Sequence, residues 1–314
     1  MQRILDPAQI EAFAERSITR FRLPELPTLF ARRARRLRAL SEGHSLGDYL
    51  RLVAAVADSQ QAASDRLAAS LRGEEFAQHI GRQIELAHEH KMPPLQAAGW
   101  PRQPRWRTVL NDLCATISRA SGYPPGVRLV CERIVDSTEA EIEAQADLLI
   151  AARTAGVDAP AAPFVMAALQ VYWAAMVATL GTGDIREIDV KGVCPGCGSL
   201  PVASVVRSDK GSNGHRYLHC GLCATEWHLV RITCSHCLST EGIVYHSIEG
   251  GSEAVRAESC GQCRTYRKIL YQEKDPDVEP VADDLASIAL DLLMTEEGFH
   301  RGSGHPLLWQ NAET

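Results

Sequence analysis

From Thr28 onward apolar positions fall three and four residues apart, the interval that gathers side chains on one face of a helix. Leu46, Leu50, Val53, Val56, Ala63, Leu67 and Leu71 make the clearest run, and Ser45 is placed to cap it. The same spacing predicts helices over 28–40, 46–71, 75–91, 108–121, 137–156 and 161–180, broken at Pro93-Pro94, Pro101 to Pro104, Pro124-Pro125 and Pro160. Residues 1–185 are thus expected to form an all-α, bundle-like domain, long enough for a core of its own. The run AAPFVMAALQVYWAAMVATL, 161–180, has the length of a membrane span and no charge. It contains Pro163 and Gln170 and has no Lys/Arg cluster beside it, so it reads as the buried central helix of the bundle.

Beyond residue 185 the period changes. Val202-Ala203-Ser204-Val205-Val206 and Ile243-Val244-Tyr245-His246 are rich in β-branched residues, and each leads to a turn-rich tip, at 208–214 and 249–252, as a hairpin strand does. The chain then passes through the acid-rich Asp275-Pro276-Asp277-Val278-Glu279-Pro280 into an amphipathic helix with Val281, Leu285, Ile288, Leu292 and Leu293 as its apolar residues. The expected fold is α+β: helices over 1–185, two small ribbons over 186–230 and 231–272, and a helical tail over 273–314.

The ribbons hold eight of the ten cysteines, as four C-x2-C pairs that repeat at an offset of 40 residues. Cys194, Cys197, Cys220 and Cys223 map onto Cys234, Cys237, Cys260 and Cys263, and Ser199, Arg216 and Thr225 map onto Ser239, Arg256 and Thr265. This is the mark of an internal duplication. Two C-x2-C turns facing each other across a hairpin supply four thiolates at the corners of a tetrahedron, the geometry that Zn(II) or rubredoxin-type iron accepts. The repeat favours a site closed within each copy over a crossed arrangement using the gap between Cys223 and Cys234. A ribbon of this size buries too little apolar surface to fold unaided, so metal must supply much of its stability. In the Cys194-Pro195-Gly196-Cys197-Gly198 knuckle, proline fixes φ inside the turn, and Gly198, after the second cysteine, permits a positive φ. His215, His219, His228 and His236 crowd these turns but are surplus to four thiolates, and read as surrounding groups. Cys114 and Cys131 lie in helical sequence and read as small buried hydrophobes.

A disulfide framework suits short secreted chains, and the N-terminal MQRILDPAQIEAFAER has neither an apolar core after a basic start nor a cleavage site, so a reducing cytoplasm is expected. The net charge of −6, and nine basic against six acidic residues over 191–270, make nucleic acid a poor partner. Arg32, Arg33, Arg35, Arg36 and Arg38 form one dense basic run, read as a solvated helix face. No phosphate loop, H-E-x-x-H, G-x-S-x-G or complete dinucleotide fingerprint is present, which predicts a protein without catalytic activity.

Several stretches together resemble a known family. They are Leu23-Pro24-Glu25-Leu26, the knuckle and strand from Cys194 to Val202, the segment Arg216-Tyr217-Leu218-His219-Cys220-Gly221-Leu222-Cys223-Ala224-Thr225-Glu226-Trp227, the Glu258 to Cys263 knuckle, and Asp283-Asp284-Leu285-Ala286-Ser287. The chain is similar in these to the FdhE family of formate dehydrogenase accessory proteins. That resemblance implies a cytoplasmic, non-catalytic protein needed for active respiratory formate dehydrogenase. It would bind the catalytic, molybdenum- and selenium-containing subunit before export by the twin-arginine route. It also implies iron in rubredoxin-like sites, which favours Fe over Zn at the two tetrathiolate centres. A zinc-ribbon nucleic-acid binder and a rubredoxin-like electron carrier are the competing readings.

Overall fold

The computed structural model describes residues 18–71, 74–209, 212 and 214–309. The stretch MQRILDPAQIEAFAER, read above for an export signal, lies outside the described residues, as do Lys210, Gly211 and Asn213 of the first hairpin tip. Helices α1 (Leu29–Ser41), α2 (Gly47–Ser70), α3 (Glu74–His90), α4 (Arg105–Arg119), α5 (Pro125–Asp136), α6 (Glu139–Ile150) and α7 (Ala162–Val177) form the N-terminal part. The periodicity predicts no helix between 121 and 137, yet α5 lies there behind Pro124-Pro125. Pro125 instead occupies the first helical position, where its missing N–H goes unused and its fixed φ suits the helix. Helix α6 starts at a capping box, in which Thr138 and Glu141 satisfy each other's backbone N–H groups.

Helix α7 is buried on every side, packed against α2, α4 and α6. Its Trp173 indole N–H donates to Leu95 O at 3.2 Å. The expected central helix is therefore present, and among the described residues no helix is long and apolar enough to cross a membrane.

The ribbons build one sheet. Strands β2 (Pro201–Val206), β3 (Arg216–Cys220) and β4 (Glu226–His228) form an antiparallel unit, as do β5 (Ile243–His246), β6 (Val255–Cys260) and β7 (Thr265–Tyr271). A parallel pairing of β2 with β7, Ser204 opposite Ile269 through Val206 opposite Tyr271, fuses them. The two-residue β1 (Phe21–Arg22) borders β4, and β8 (His300–Arg301) adds to β7. One continuous core runs from α1 through α7 into β2, β3 and the first four cysteines, while Ala257, Tyr266, Leu290 and Met294 form a second cluster.

The C-terminal helix is interrupted. Helix α8 (Pro280–Ala286) ends at Ser287, whose φ of −102° and ψ of 32° break the helical path, and α9 (Ile288–Glu296) follows in a new phase. Val281 and Leu285 are buried as expected, but Leu290 and Met294 face the core in α9 while Leu292 and Leu293 are exposed. The arginine run also departs from its reading as a solvated face. Arg33 is buried and pairs with Glu279 at 3.1 Å, and Arg36 pairs with Asp283 and Asp275, each at 2.6 Å. Part of the basic run and the acid-rich stretch before α8 thus form a single docking surface between α1 and the chain's C-terminal part.

Candidate metal centres

Each duplicated copy brings its own four thiols together. Sγ atoms of Cys194, Cys197, Cys220 and Cys223 lie within 4.8 Å of one another, and so do those of Cys234, Cys237, Cys260 and Cys263. Cys194 is 3.5 Å from Cys223, Cys197 is 3.5 Å from Cys220, and the matching pairs in the second copy are 3.6 and 3.7 Å apart. A tetrahedron with metal–sulfur bonds of about 2.3 Å has edges of about 3.8 Å, so each set is close to the size of a zinc tetrathiolate. The donor set and the geometry fit such an ion.

The knuckles share one backbone device. The residue after the second cysteine has a positive φ in all four: Gly198 at 76°, Ala224 at 59°, Leu238 at 63° and Arg264 at 56°. That left-handed residue turns the chain back, so the N–H of Gly198, Ala224, Leu238 and Arg264 reaches the carbonyl of the first cysteine of its knuckle at 2.8–3.3 Å. In two knuckles N–H groups also point at the first sulfur: those of Leu222 and Cys223 at Cys220, and those of His236 and Cys237 at Cys234, all at 3.4 Å. Such donors stabilise thiolate charge. The copies match further out, with Thr225 and Thr265 hydroxyls 3.1 and 2.9 Å from Cys223 and Cys263 Sγ. Glycine spacing predicted the positive φ only for Gly198; the other three positions carry side chains and gave no such signal.

The four nearby histidines have other partners. His219 Nδ1 is 3.0 Å from Glu226, the rings of His215 and His228 meet edge to face at 5.7 Å, and His236 contributes its backbone N–H. Burial opposes ionisation of Glu226, but Arg207 and His219 outweigh it and hold the carboxyl far below the usual carboxylate range. Burial, with His215 and Arg20 nearby, lowers the His228 pKa.

Residues outside the cysteine pattern frame the centres. Gln170, the amide in the apolar run of α7, donates to Gly221 O at 2.7 Å and accepts from Arg33 at 3.2 Å and Gln60 at 3.0 Å. It joins the first four-thiol cluster to the bundle and to the C-terminal docking surface. Buried Arg216 pairs with Glu258 at 2.7 Å and donates to Thr233 O at 2.9 Å, so a first-copy side chain binds the second copy. Arg267 returns the link, donating to Ser235 at 2.8 Å and to Pro201 O. Burial, together with Arg301 and Arg216 nearby, pushes its pKa down to about 9.

A helical body bearing two tandem tetracysteine knuckle units on one fused sheet defines a protein with two potential tetrathiolate metal centres. Family models described as FdhE, N-terminal, FdhE, central domain and FdhE, C-terminal domain match residues 18–189, 193–231 and 232–308. The chain is 41% identical over 311 residues to a Protein FdhE homolog of Cronobacter sakazakii, covering 98% of this chain and 97% of that one. It is 42% identical over 287 residues to Protein FdhE of Salmonella paratyphi A, covering 91% and 90%. A crystal structure of the FdhE protein from Pseudomonas aeruginosa superposes with a TM-score of 0.81 at 37% identity, over 92% of this chain and 98% of that one. The chain belongs to the FdhE family.

Proposed function

We propose that the protein is a non-catalytic accessory factor for a respiratory formate dehydrogenase, acting in the cytoplasm and binding the catalytic subunit before its export. The juxtaposition of two four-thiol clusters with a large helical body, in a chain of the FdhE family, carries this reading. Cys194, Cys197, Cys220 and Cys223 would hold one metal ion and Cys234, Cys237, Cys260 and Cys263 a second, with iron favoured over zinc. Bound iron would supply a one-electron couple with little rearrangement of its ligands. The chain itself provides rigid, metal-tied turns that present side chains to a client at small ordering cost. Pairing of Arg33 and Arg36 with carboxylates removes them from phosphate contact and supports a protein client over nucleic acid. The divisions after residues 185, 230 and 272 are proposed as domain limits, tested by whether a fragment ending at Asp184 keeps its helical circular dichroism.

The deciding experiment is affinity capture from anaerobically grown, formate-respiring cells, with intact protein and with Cys197→Ser and Cys237→Ser variants. Enrichment of the dehydrogenase catalytic subunit by the intact protein is expected. Capture of nucleic acid without that subunit refutes the reading. Equal capture by all three proteins moves the client surface to the helices. Metal analysis and optical spectra of the same samples separate the ions, because ferric tetrathiolate absorbs in the visible and zinc does not.

A further inference from the structure

We infer that the two clusters have different roles: the first is a permanent lock, and the second is an exchange site that opens at Cys237. This rests on the proposal that both sets of thiols bind metal. Sulfur separations, threonine hydroxyls and left-handed turns are alike in the two copies, so these features do not separate them. Their surroundings do.

Around the first cluster every thiol is buried, none more than 1% exposed. The segment between α3 and α4 is bonded onto its knuckle, Leu95 N–H to Gly196 O at 3.0 Å and Ala97 N–H to Cys197 O at 2.8 Å. The Gln96 amide lies so close beneath Gly198 that a Cβ there would collide with it. Gln170 ties down the second knuckle through Gly221 O. An entering ligand would first have to displace these elements from the bundle core.

Around the second cluster Cys237 is exposed and Cys263 half-buried. His236, Leu238, Gly261 and Gln262, which flank these sulfurs, also face solvent. The anchors engage other residues: Arg267 donates to Ser235 at 2.8 Å, and Arg264 stacks on Phe299 at 4.0 Å. The Cys237 side is left open. With an ion held by the four thiolates, a thiol from outside would approach there and take the place of Cys237, its proton passing to the released Cys237 sulfur. Such an exchange would involve no change of oxidation state, and Cys234, Cys260 and Cys263 would stay in place. The second cluster is thereby suited to take up or hand over a metal ion, or to be read by a partner's thiol, without unfolding the body.

The test uses the full chain loaded with Co(II), after its content is measured as two ions per chain. Release to excess EDTA, followed by loss of thiolate–cobalt absorption, is expected in two equal phases, the fast one more than roughly tenfold quicker because only the slow one requires local unfolding. Limited N-ethylmaleimide treatment followed by mass mapping should modify Cys237 and Cys263 before Cys194, Cys197, Cys220 and Cys223. A Cys237→Ser variant should lose the fast phase and keep the slow one. If it fails to fold, the mapping on the unaltered protein decides. Single-phase release, or alkylation of both clusters at one rate, overturns the inference while leaving metal binding intact. A content below one ion per chain overturns the metal reading itself.

Discussion

Replacing Arg33 by methionine tests the joint between α1 and the start of α8. The Arg33 side chain is 1% exposed and that of Glu279 7%, at a separation of 3.1 Å. Losing the guanidinium strands a carboxylate in the interior, a change that costs about 3–5 kcal/mol. Gln170 is not orphaned, since Gln60 still donates to it at 3.0 Å, and Glu279 still caps α8 by accepting from Ala282 N–H at 2.7 Å. The residual cap places the expected loss at the lower end, about 3 kcal/mol. Glu279→Gln in the same chain removes the stranded charge and keeps an acceptor for the cap. The double variant should therefore recover much of the loss, with a coupling energy of about 2 kcal/mol. Urea unfolding of metal-saturated protein, followed by far-ultraviolet circular dichroism, measures all four corners of the cycle. A cost below about 1 kcal/mol for Arg33→Met, or a double variant no more stable than that single one, would refute the reasoning.

Acid should weaken the C-terminal docking in two steps. Neutral His305 is satisfied on both ring nitrogens, with Nε2 2.9 Å from Val281 O and Nδ1 accepting from Leu307 N–H at 3.0 Å, and burial lowers its pKa to about 4. Its contribution is complete above the unfolded value near ~6.5 and fades as pH falls toward the folded one, on the order of 3 kcal/mol in all. Burial opposes ionisation of Asp284, but Arg301 and Lys268 hold its carboxyl at about 2, so its contribution is lost lower, between its unfolded value and that point. His305→Gln should flatten the upper step only; denaturant midpoints across the range would show it, and an unchanged upper step would refute the assignment. Gly198→Ala should cost more than about 1 kcal/mol, because the left-handed position disfavours a Cβ and Gln96 blocks it. Leu238→Ala, at the matching position of the second copy, should cost less because that residue is already left-handed and is 41% exposed. Thermal unfolding of the two variants compares them, and equal losses would mean that Gln96 is not the obstacle.

The gathering of eight cysteines into two four-thiol clusters was legible because cysteine spacing survives in sequence whatever surrounds it. Helices were legible where one face is buried, as in α2, and also in α7, where every face is. Helix α5 was hidden because a proline pair ends one helix and starts another with the same letters. The docking of Arg33 and Arg36 onto Glu279 and Asp283 was hidden for a different reason. Both charged segments stood out, but their pairing depends on contacts across most of the chain, for which local periodicity holds no information. The unequal burial of the two clusters was equally invisible, since it is set by Leu95, Gln96 and Gln170, residues outside the repeat.

The parallel pairing of β2 with β7 sets a timetable for the nascent chain. Strand β2 cannot gain this neighbour until the whole second copy has been made, and Arg33 waits longer still for Glu279. At ordinary elongation rates the wait from β2 to β7 is on the order of several seconds, long compared with helix or hairpin formation. During it the helices and the first knuckles can close locally, yet the flank of β2 that β7 will cover stays unpaired and a cation destined for the interior stays in water. The sheet is therefore completed late in synthesis while the helices can form vectorially, and a chain stopped short of Tyr271 leaves the β2 edge open where β7 would cover it.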